Sequence, residues 1–420
     1  MSGSASSRTP VDEAEAVSGL QIGVVIIGIS ITLPLLYSAG ELAHGIGFTR
    51  GTIAVVVGAL ILSVMSVPAS VVGVRSRLSS YMIVEHTFGF AGAKLINLCF
   101  GIFLLGWYAV TAELFGRTLY LAATELSTVG LPEWVYTVLS SALVTVTTMY
   151  GFKAIDRLAL FAVPLLLLAL IAVAALSLRE TSLAELASIE AQDMDMLTAI
   201  SAVVGAAVVG VVLMPDLTRY ARNVRDCVTA SFFGQGFGIV IVYVIGMIPV
   251  LTWNEAEPMR YMFLLGFGAT ALAIIVFATW TTNVINLYGV ALSARASVPI
   301  GRYRSLTIVG GILGTIAAVV GVSDYLIEFL IVLGLLVPPI AGIYLCDYFF
   351  LGRRDFSQAH LDARPPVRWT AVGVSIGAGV IATWLYFSGK SVSGLAPIDS
   401  LLISVVLYLT LEKTLAKADS

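Results

Sequence analysis

Twelve times along the chain, some twenty residues pass with almost no charged side chain. The uncharged runs are 16–40, 51–74, 95–112, 134–152, 158–178, 196–215, 227–254, 261–294, 305–323, 329–346 and 369–389, and a last apolar segment covers about 393–411. Crossing ~30 Å of hydrocarbon at ~1.5 Å per residue takes roughly 20 apolar residues. The pattern therefore predicts an all-α polytopic membrane protein of twelve transmembrane helices embedded in a lipid bilayer. Composition agrees: 58% of the residues are hydrophobic and 12% are charged, where soluble domains carry about 25% charged residues.

The charges that remain give an orientation. With the N-terminus on one side, Arg8, Arg75, Arg77, Lys94, Lys153, Arg157, Arg219, Arg222, Arg225, Arg295, Arg302, Arg304, Arg353, Arg354, Arg364, Arg368, Lys413 and Lys417 share that side. Only Arg50, Arg117, Arg179, Arg260 and Lys390 fall on the other. The positive-inside rule then places both termini in the cytoplasm of a cell-membrane protein. A net charge of −3 offers no clustered basic surface for nucleic acid. Cys99, Cys227 and Cys346 lack the spacing of a metal site or a disulfide framework. The first eighteen residues are polar and slightly acidic (Asp12, Glu13, Glu15), unlike a secretory signal, and read as a cytoplasmic tail.

Two spans carry backbone breakers among small polar residues. Span 1 reads Gly28-Ile-Ser30-Ile-Thr32-Leu-Pro34; span 6 contains Gly205 and Gly210 and ends at Pro215-Asp216. Interrupted segments at matching places in two halves are the mark of an inverted-repeat secondary transporter. The expected organisation is a tail at 1–18 and a transporter domain at 19–415. Within that domain, a first repeat covers 19–178, a second 196–348 and two additional helices 369–411, with a C-terminal tail at 416–420.

At Trp280-Thr281-Thr282-Asn283 in span 8 the chain resembles the nucleobase:cation symporter family. The likeness continues through Gly28 to Gly47, Phe88-Gly89 with Gly106-Trp107-Tyr108, and Asp216 to Asn223. It extends to Val337-Pro338-Pro339 with Cys346-Asp347-Tyr348 and Arg353-Arg354. This family includes cytosine, allantoin, uracil and hydantoin transporters. The resemblance implies the five-plus-five inverted repeat of the leucine-transporter type and cation-coupled transport of a heterocycle by alternating access. By matching position it implies a sodium site built from the carbonyls of Gly28, Ile31 and Ala278 and the hydroxyls of Thr281 and Thr282, an all-oxygen set suited to a hard cation. Sodium is the expected coupling ion, and the proton is the runner-up. No other cofactor is expected.

The same resemblance implies that Trp107 stacks on a planar heterocycle and that Asn283, whose amide both donates and accepts, reads its edge. Ser30 and Thr32 at the span 1 break complete the expected substrate set. The glutamine that the family's cytosine carriers place three residues before the tryptophan is Leu104 here, and their polar span 6 region reads Ala206, Ala207 and Val209. An aliphatic wall leaves a base's exocyclic groups partly unpaired, at roughly 1–3 kcal/mol each, which favours a less polar heterocycle than cytosine.

Glu113 and Arg117 lie four apart on one helical face and read as a neutralising pair near the outer end of span 3. Glu41 and His44 read as solvated; Asp216, Arg219 and Arg222 read as a charge network at the inner end of span 6; His86 and His360 fall in predicted loops. A channel would line a pore with repeated polar rings, and an enzyme would need paired acids, histidine clusters or an activated nucleophile. Neither pattern is present in the sequence. The alternative within transporters is an amino-acid or other small-metabolite symporter of the same fold.

Overall fold

The breaks in the sequence become breaks in the helices. Span 1 begins at Gly19 because Ser18 and Gln21 form a reciprocal cap, the Ser18 hydroxyl accepting the Gln21 N–H and the Gln21 side chain accepting that of Ser18. It runs to Ser30, loses helical geometry at Ile31 and Thr32, and resumes over Leu33–Ile46 at an angle of 71°. Pro34 sits in the first turn of the second half, where its missing N–H costs nothing.

The computed structural model describes residues 10–126, 130–150, 153–191, 193–297 and 302–418. Residues 1–9, including Arg8, and 419–420 of the expected tails lie outside it. After span 1 come span 2 (Phe48–Ser76), span 3 (Phe90–Leu126), span 4 (Glu133–Tyr150) and span 5 (Lys153–Glu180). Span 6 is Met196–Val212 with Met214–Thr218; span 7 runs Val224–Ala230, a π-helical turn Ser231–Phe237, and Gly238–Trp253. Span 8 (Gly268–Ser297), span 9 (Tyr303–Val320) and span 10 (Leu326–Leu336, Pro338–Leu345 and a π-helical turn Cys346–Phe350) complete the second repeat. Span 11 is Trp369–Phe387 and span 12 is Ala396–Ala418, so the last helix continues into the stretch expected as a tail. Seven of these helices are each long and apolar enough to cross a membrane, and the bent pair of span 1 makes an eighth; spans 4, 5, 6 and 12 complete the twelve.

The packing has the symmetry of an inverted repeat. If spans 1–5 correspond to 6–10, exchanging the repeats turns a contact between spans 1 and 7 into one between 6 and 2. Both are among the most extensive contacts in the molecule. Spans 3 and 8, each other's counterparts, pack together most extensively of all, and the counterparts 4 and 9 also pack on each other. Spans 11 and 12 pack on each other and on span 10.

The break in span 6 differs from expectation. Gly205 and Gly210 are helical, and the helix is interrupted at Leu213, just before Pro215. Proline offers no N–H to the preceding turn, so the helical hydrogen bonding stops there and a new short helix starts at Met214, whereas Gly205 and Gly210 leave the helix unbroken. Gly205 instead lets span 6 approach span 10, since a Cβ there would overlap the Leu330 carbonyl oxygen.

The N-terminal end of the described residues lies on the same face as the cluster at the end of span 12. Val11 N–H donates to Arg77 O (3.1 Å) and Val17 N–H to Tyr220 O (2.7 Å), tying the N-terminal segment to the ends of spans 2 and 6. The short helix Ser80–Phe88 is held there too, because Asp216 accepts the Ser80 N–H (2.8 Å) and Phe88 O accepts the Arg368 N–H (2.9 Å). Asp216 thus caps backbone, and among the described residues it forms no ion pair with Arg219 or Arg222. His86 and His360 lie in short helices, Ser80–Phe88 and Gln358–Asp362, where loops were expected. Burial, then the nearby Arg364 and His360, push His86 down to about 4, so its ring is neutral at pH 7.

Candidate substrate and ion site

The centre of the molecule is an aromatic corner. Trp107 of span 3 and Phe329 of span 10 meet edge to face with ring centroids 5.4 Å apart and planes at 78°. Gly106 makes the contact possible: a Cβ there would stand 2.5 Å from the Phe329 ring. Among the described residues, Met65, Trp107 and Phe329 are the partly buried side chains that pack against both of the two largest apolar clusters, so they mark the seam between them. Span 6 follows the same seam, with Ala206 and Ala207 along the first cluster and Val209 along the second. Two rings at right angles offer a planar molecule one face to stack on and one edge to abut.

Span 8 supplies the polar group. Asn283 is 0% exposed, and neither its amide nitrogen nor its amide oxygen has a protein partner. One turn earlier on the same face, the Thr279 hydroxyl is equally buried and equally unbonded. Buried amides are almost always hydrogen-bonded, so this one is left with both a donor and an acceptor to offer. Leu104 lies over Gly289 of span 8, among Tyr108 and Leu287, and fills space between spans 3 and 8. Phe329 and Gln235 were missed in the sequence. Gln235, on the π-helical turn of span 7, is buried with its Oε1 unbonded and its Nε2 next to Gly210 of span 6.

Of the expected cation ligands, Gly28 and Ile31 lie at the span 1 break and Ala278, Thr281 and Thr282 lie on span 8. Thr32 N–H donates to the Ser30 carbonyl (3.0 Å) rather than reaching four residues back to that of Gly28. The Ser30 hydroxyl donates to Ile26 O (2.9 Å), and Thr32 makes no side-chain cap. Ile31 and Ala278 belong to one buried cluster. The Thr281 hydroxyl donates to the carbonyls of Phe277 and Ala278, each at 2.9 Å, while Thr282 is half-buried. Such back-bonding turns the hydroxyl proton inward and leaves its lone pairs free. The set is therefore neutral oxygen throughout, and among the described residues no group of His, Cys, Asp or Glu is placed to hold a metal. That chemistry fits a hard monovalent cation.

Each face carries a charge cluster. Away from the termini, the expected pair forms, with Arg117 donating to Glu113 (3.3 Å), but the guanidinium also reaches Glu133 of span 4 (3.1 Å) and Glu257 (3.2 Å) and Tyr37 (2.9 Å). Glu257 immediately precedes a short helix, Pro258–Leu264, in the connection from span 7 to span 8. Glu113 in turn accepts the backbone N–H (2.7 Å) and hydroxyl (2.6 Å) of Ser323, just before span 10. On the termini face, Asp347 accepts from Arg353 (2.7 Å), Arg368 (2.6 Å) and Tyr408 (2.7 Å), and Glu412 accepts from both arginines. Glu41 and His44 are exposed, as expected.

Comparison with known proteins agrees with this architecture. Residues 17–396 match the profile of the permeases for cytosine/purines, uracil, thiamine and allantoin. The cytosine permease of Escherichia coli K12 is 24% identical over 413 residues, covering 97% of this chain and 94% of the relative. The inward-facing conformation of Mhp1 superposes with a TM-score of 0.86 at 20% identity, covering 98% of this chain and 93% of that one. Mhp1, described as a nucleobase-cation-symport-1 family transporter, in a closed conformation with bromovinylhydantoin bound gives 0.79 at 21% identity, covering 98% and 96%. With a profile matched over nearly its whole length, the chain belongs to the permease family for cytosine/purines, uracil, thiamine and allantoin and is a transporter, not an enzyme.

Proposed function

We propose that the protein couples sodium entry to uptake of a flat heterocycle of the nucleobase or hydantoin type, by alternating access across the cell membrane with both termini in the cytoplasm. The observation that carries this reading is the buried, unpartnered amide of Asn283 on the same helix as Thr281 and Thr282, a helix that packs on span 3, which bears the Trp107 of the aromatic corner. A planar ring seated on Trp107 offers its edge to Asn283, and the Gly28, Ile31, Ala278, Thr281 and Thr282 oxygens take the cation. Occupying both together rewards binding that neither alone achieves, which is how an ion gradient comes to drive a neutral solute. The apolar Leu104, Ala206, Ala207 and Val209 favour a substrate less polar than cytosine. The unequal division of Lys and Arg between the two faces supports the orientation.

The test is uptake by purified protein in liposomes, with cytosine, uracil, allantoin, a substituted hydantoin and amino acids offered under a sodium gradient or a proton gradient. Sodium-driven accumulation of a heterocycle is expected. Thr282→Ala should lower it about tenfold, the factor carried by one lost ligand worth ~1.4 kcal/mol. Accumulation driven by protons alone, with Thr282→Ala unaffected, would overturn sodium coupling; preference for an amino acid would overturn the substrate class.

A further inference from the structure

Arg117 stands ten residues along span 3 from Trp107, roughly 15 Å above the aromatic corner toward the face opposite the termini. Apart from Glu113, four residues back on the same helix, the side chains it gathers come from other elements. Tyr37 lies on the second half of the broken span 1, Glu133 opens span 4, Glu257 lies in the 7–8 connection, and Glu113 carries the link on to Ser323 at the mouth of span 10. The Tyr37 hydroxyl closes the ring by donating to Glu257 (3.1 Å). Directly and through Glu113, one guanidinium thus ties together span 3, the second half of span 1, span 4, the 7–8 connection and the segment that leads into span 10.

Three features make this a releasable contact. First, it is unbalanced: one cation faces three carboxylates, so the acids repel one another and only the arginine holds them together. Second, water reaches it, with side-chain exposures of 21% for Arg117 and 39% for Glu133, so the separated ions can be solvated. Third, its partners hang on joints. The helix bearing the 7–8 connection is followed by Gly266 at φ +80°, with open space where a Cβ would project, and Ser323 follows Gly321 at φ +93°. Such backbone turns with little steric resistance.

We propose that Arg117 is a latch that closes the solute pathway on the face opposite the termini, and that opening on that face requires its release from Glu257 and Tyr37. The latch is separate from the substrate and cation ligands: it sets which face is open, whatever solute is carried. Its carboxylates, once parted, line the opened entrance with negative charge, which raises the local cation concentration at that mouth.

The test reads conformation without any substrate. Spin labels at Glu125→Cys on span 3 and Leu264→Cys on the 7–8 connection, in a Cys99→Ser background, report the separation across the latch by pulsed electron resonance of the full chain in nanodiscs. The unmodified latch should give one dominant short distance. Arg117→Gln should raise the long-distance fraction by about tenfold, the factor for losing a contact worth ~1.4 kcal/mol. Arg117→Lys, a single-point cation that cannot span three carboxylates, should fall between. Glu257→Gln gives the same readout if Arg117→Gln does not fold. An unchanged distance distribution in either folded variant would overturn the latch, and would do so even where heterocycle uptake is demonstrated.

Discussion

On the termini face two arginines, Arg353 and Arg368, meet two carboxylates, Asp347 and Glu412; on the opposite face one arginine, Arg117, meets three. The first cluster is balanced, joins the end of span 10 to spans 11 and 12, and extends to the helix Ser80–Phe88 through Arg368, which donates to Thr87 O (2.6 Å). The second joins parts of the two repeats. A balanced, doubly bridged cluster has no lower-energy way to come apart, because separating it leaves buried charges on both sides. An unbalanced, water-accessible one gains solvation and relieves repulsion when it opens. The distances follow the same division, 2.6–3.0 Å between Asp347 or Glu412 and Arg368 against 3.1–3.3 Å between Arg117 and its carboxylates: the first cluster is a fixed joint among spans 10, 11 and 12, and the second is the proposed latch.

The largest effect expected of a single substitution is at the clamp. Arg368→Ala leaves Asp347 and Glu412 sharing one arginine, and breaking a buried pair costs about 3–5 kcal/mol. The thermal unfolding midpoint in detergent should fall further than for any single change at Arg117's carboxylates; an unchanged midpoint would show that the clamp carries no stability. A middle effect is expected for Glu113→Gln. The side-chain oxygen can still accept from Ser323, so the loss is that of the charge, about 1–2 kcal/mol. If this variant unfolds below Arg368→Ala, the roles of the two faces are reversed. The smallest is Glu133→Gln. Its carboxylate is 39% exposed, exposed pairs contribute about 0–1 kcal/mol, and the midpoint should stay within error of the parent. A large drop would mean that the region is sealed from water and is no latch.

Much of this was legible in the sequence, and the parts that were not have a common cause. The twelve runs, the span 1 break and the Glu113–Arg117 pair are local signals, read within one helix or a few residues. The two charge clusters are assembled from segments far apart in the chain, as Tyr37 and Glu257 are from Arg117, and no local pattern announces them. Phe329 was missed because an aromatic in an apolar run reads the same whether it faces lipid, as the exposed Phe237 and Phe277 do, or a seam. The span 6 break was placed along its glycines because glycine weakens helices in water, but here Gly205 serves packing and Pro215 ends the helix. Asn283 was legible as a residue; that its amide has no partner is known only once the helices are in place.

The clamp also has an order of assembly. Asp347, Arg353 and Arg368 are all synthesised before Glu412, so while spans 10 and 11 are being inserted the loop between them carries Arg353, Arg354, Arg364 and Arg368 against few acids. On the proposed orientation a loop of that kind stays on the cytoplasmic side and sets the direction in which span 11 enters the bilayer. Only when span 12 arrives does Glu412 close the cluster and remove the excess. On that orientation the same arginines serve twice, first as the positive charge that orients a span and afterwards as half of a finished joint.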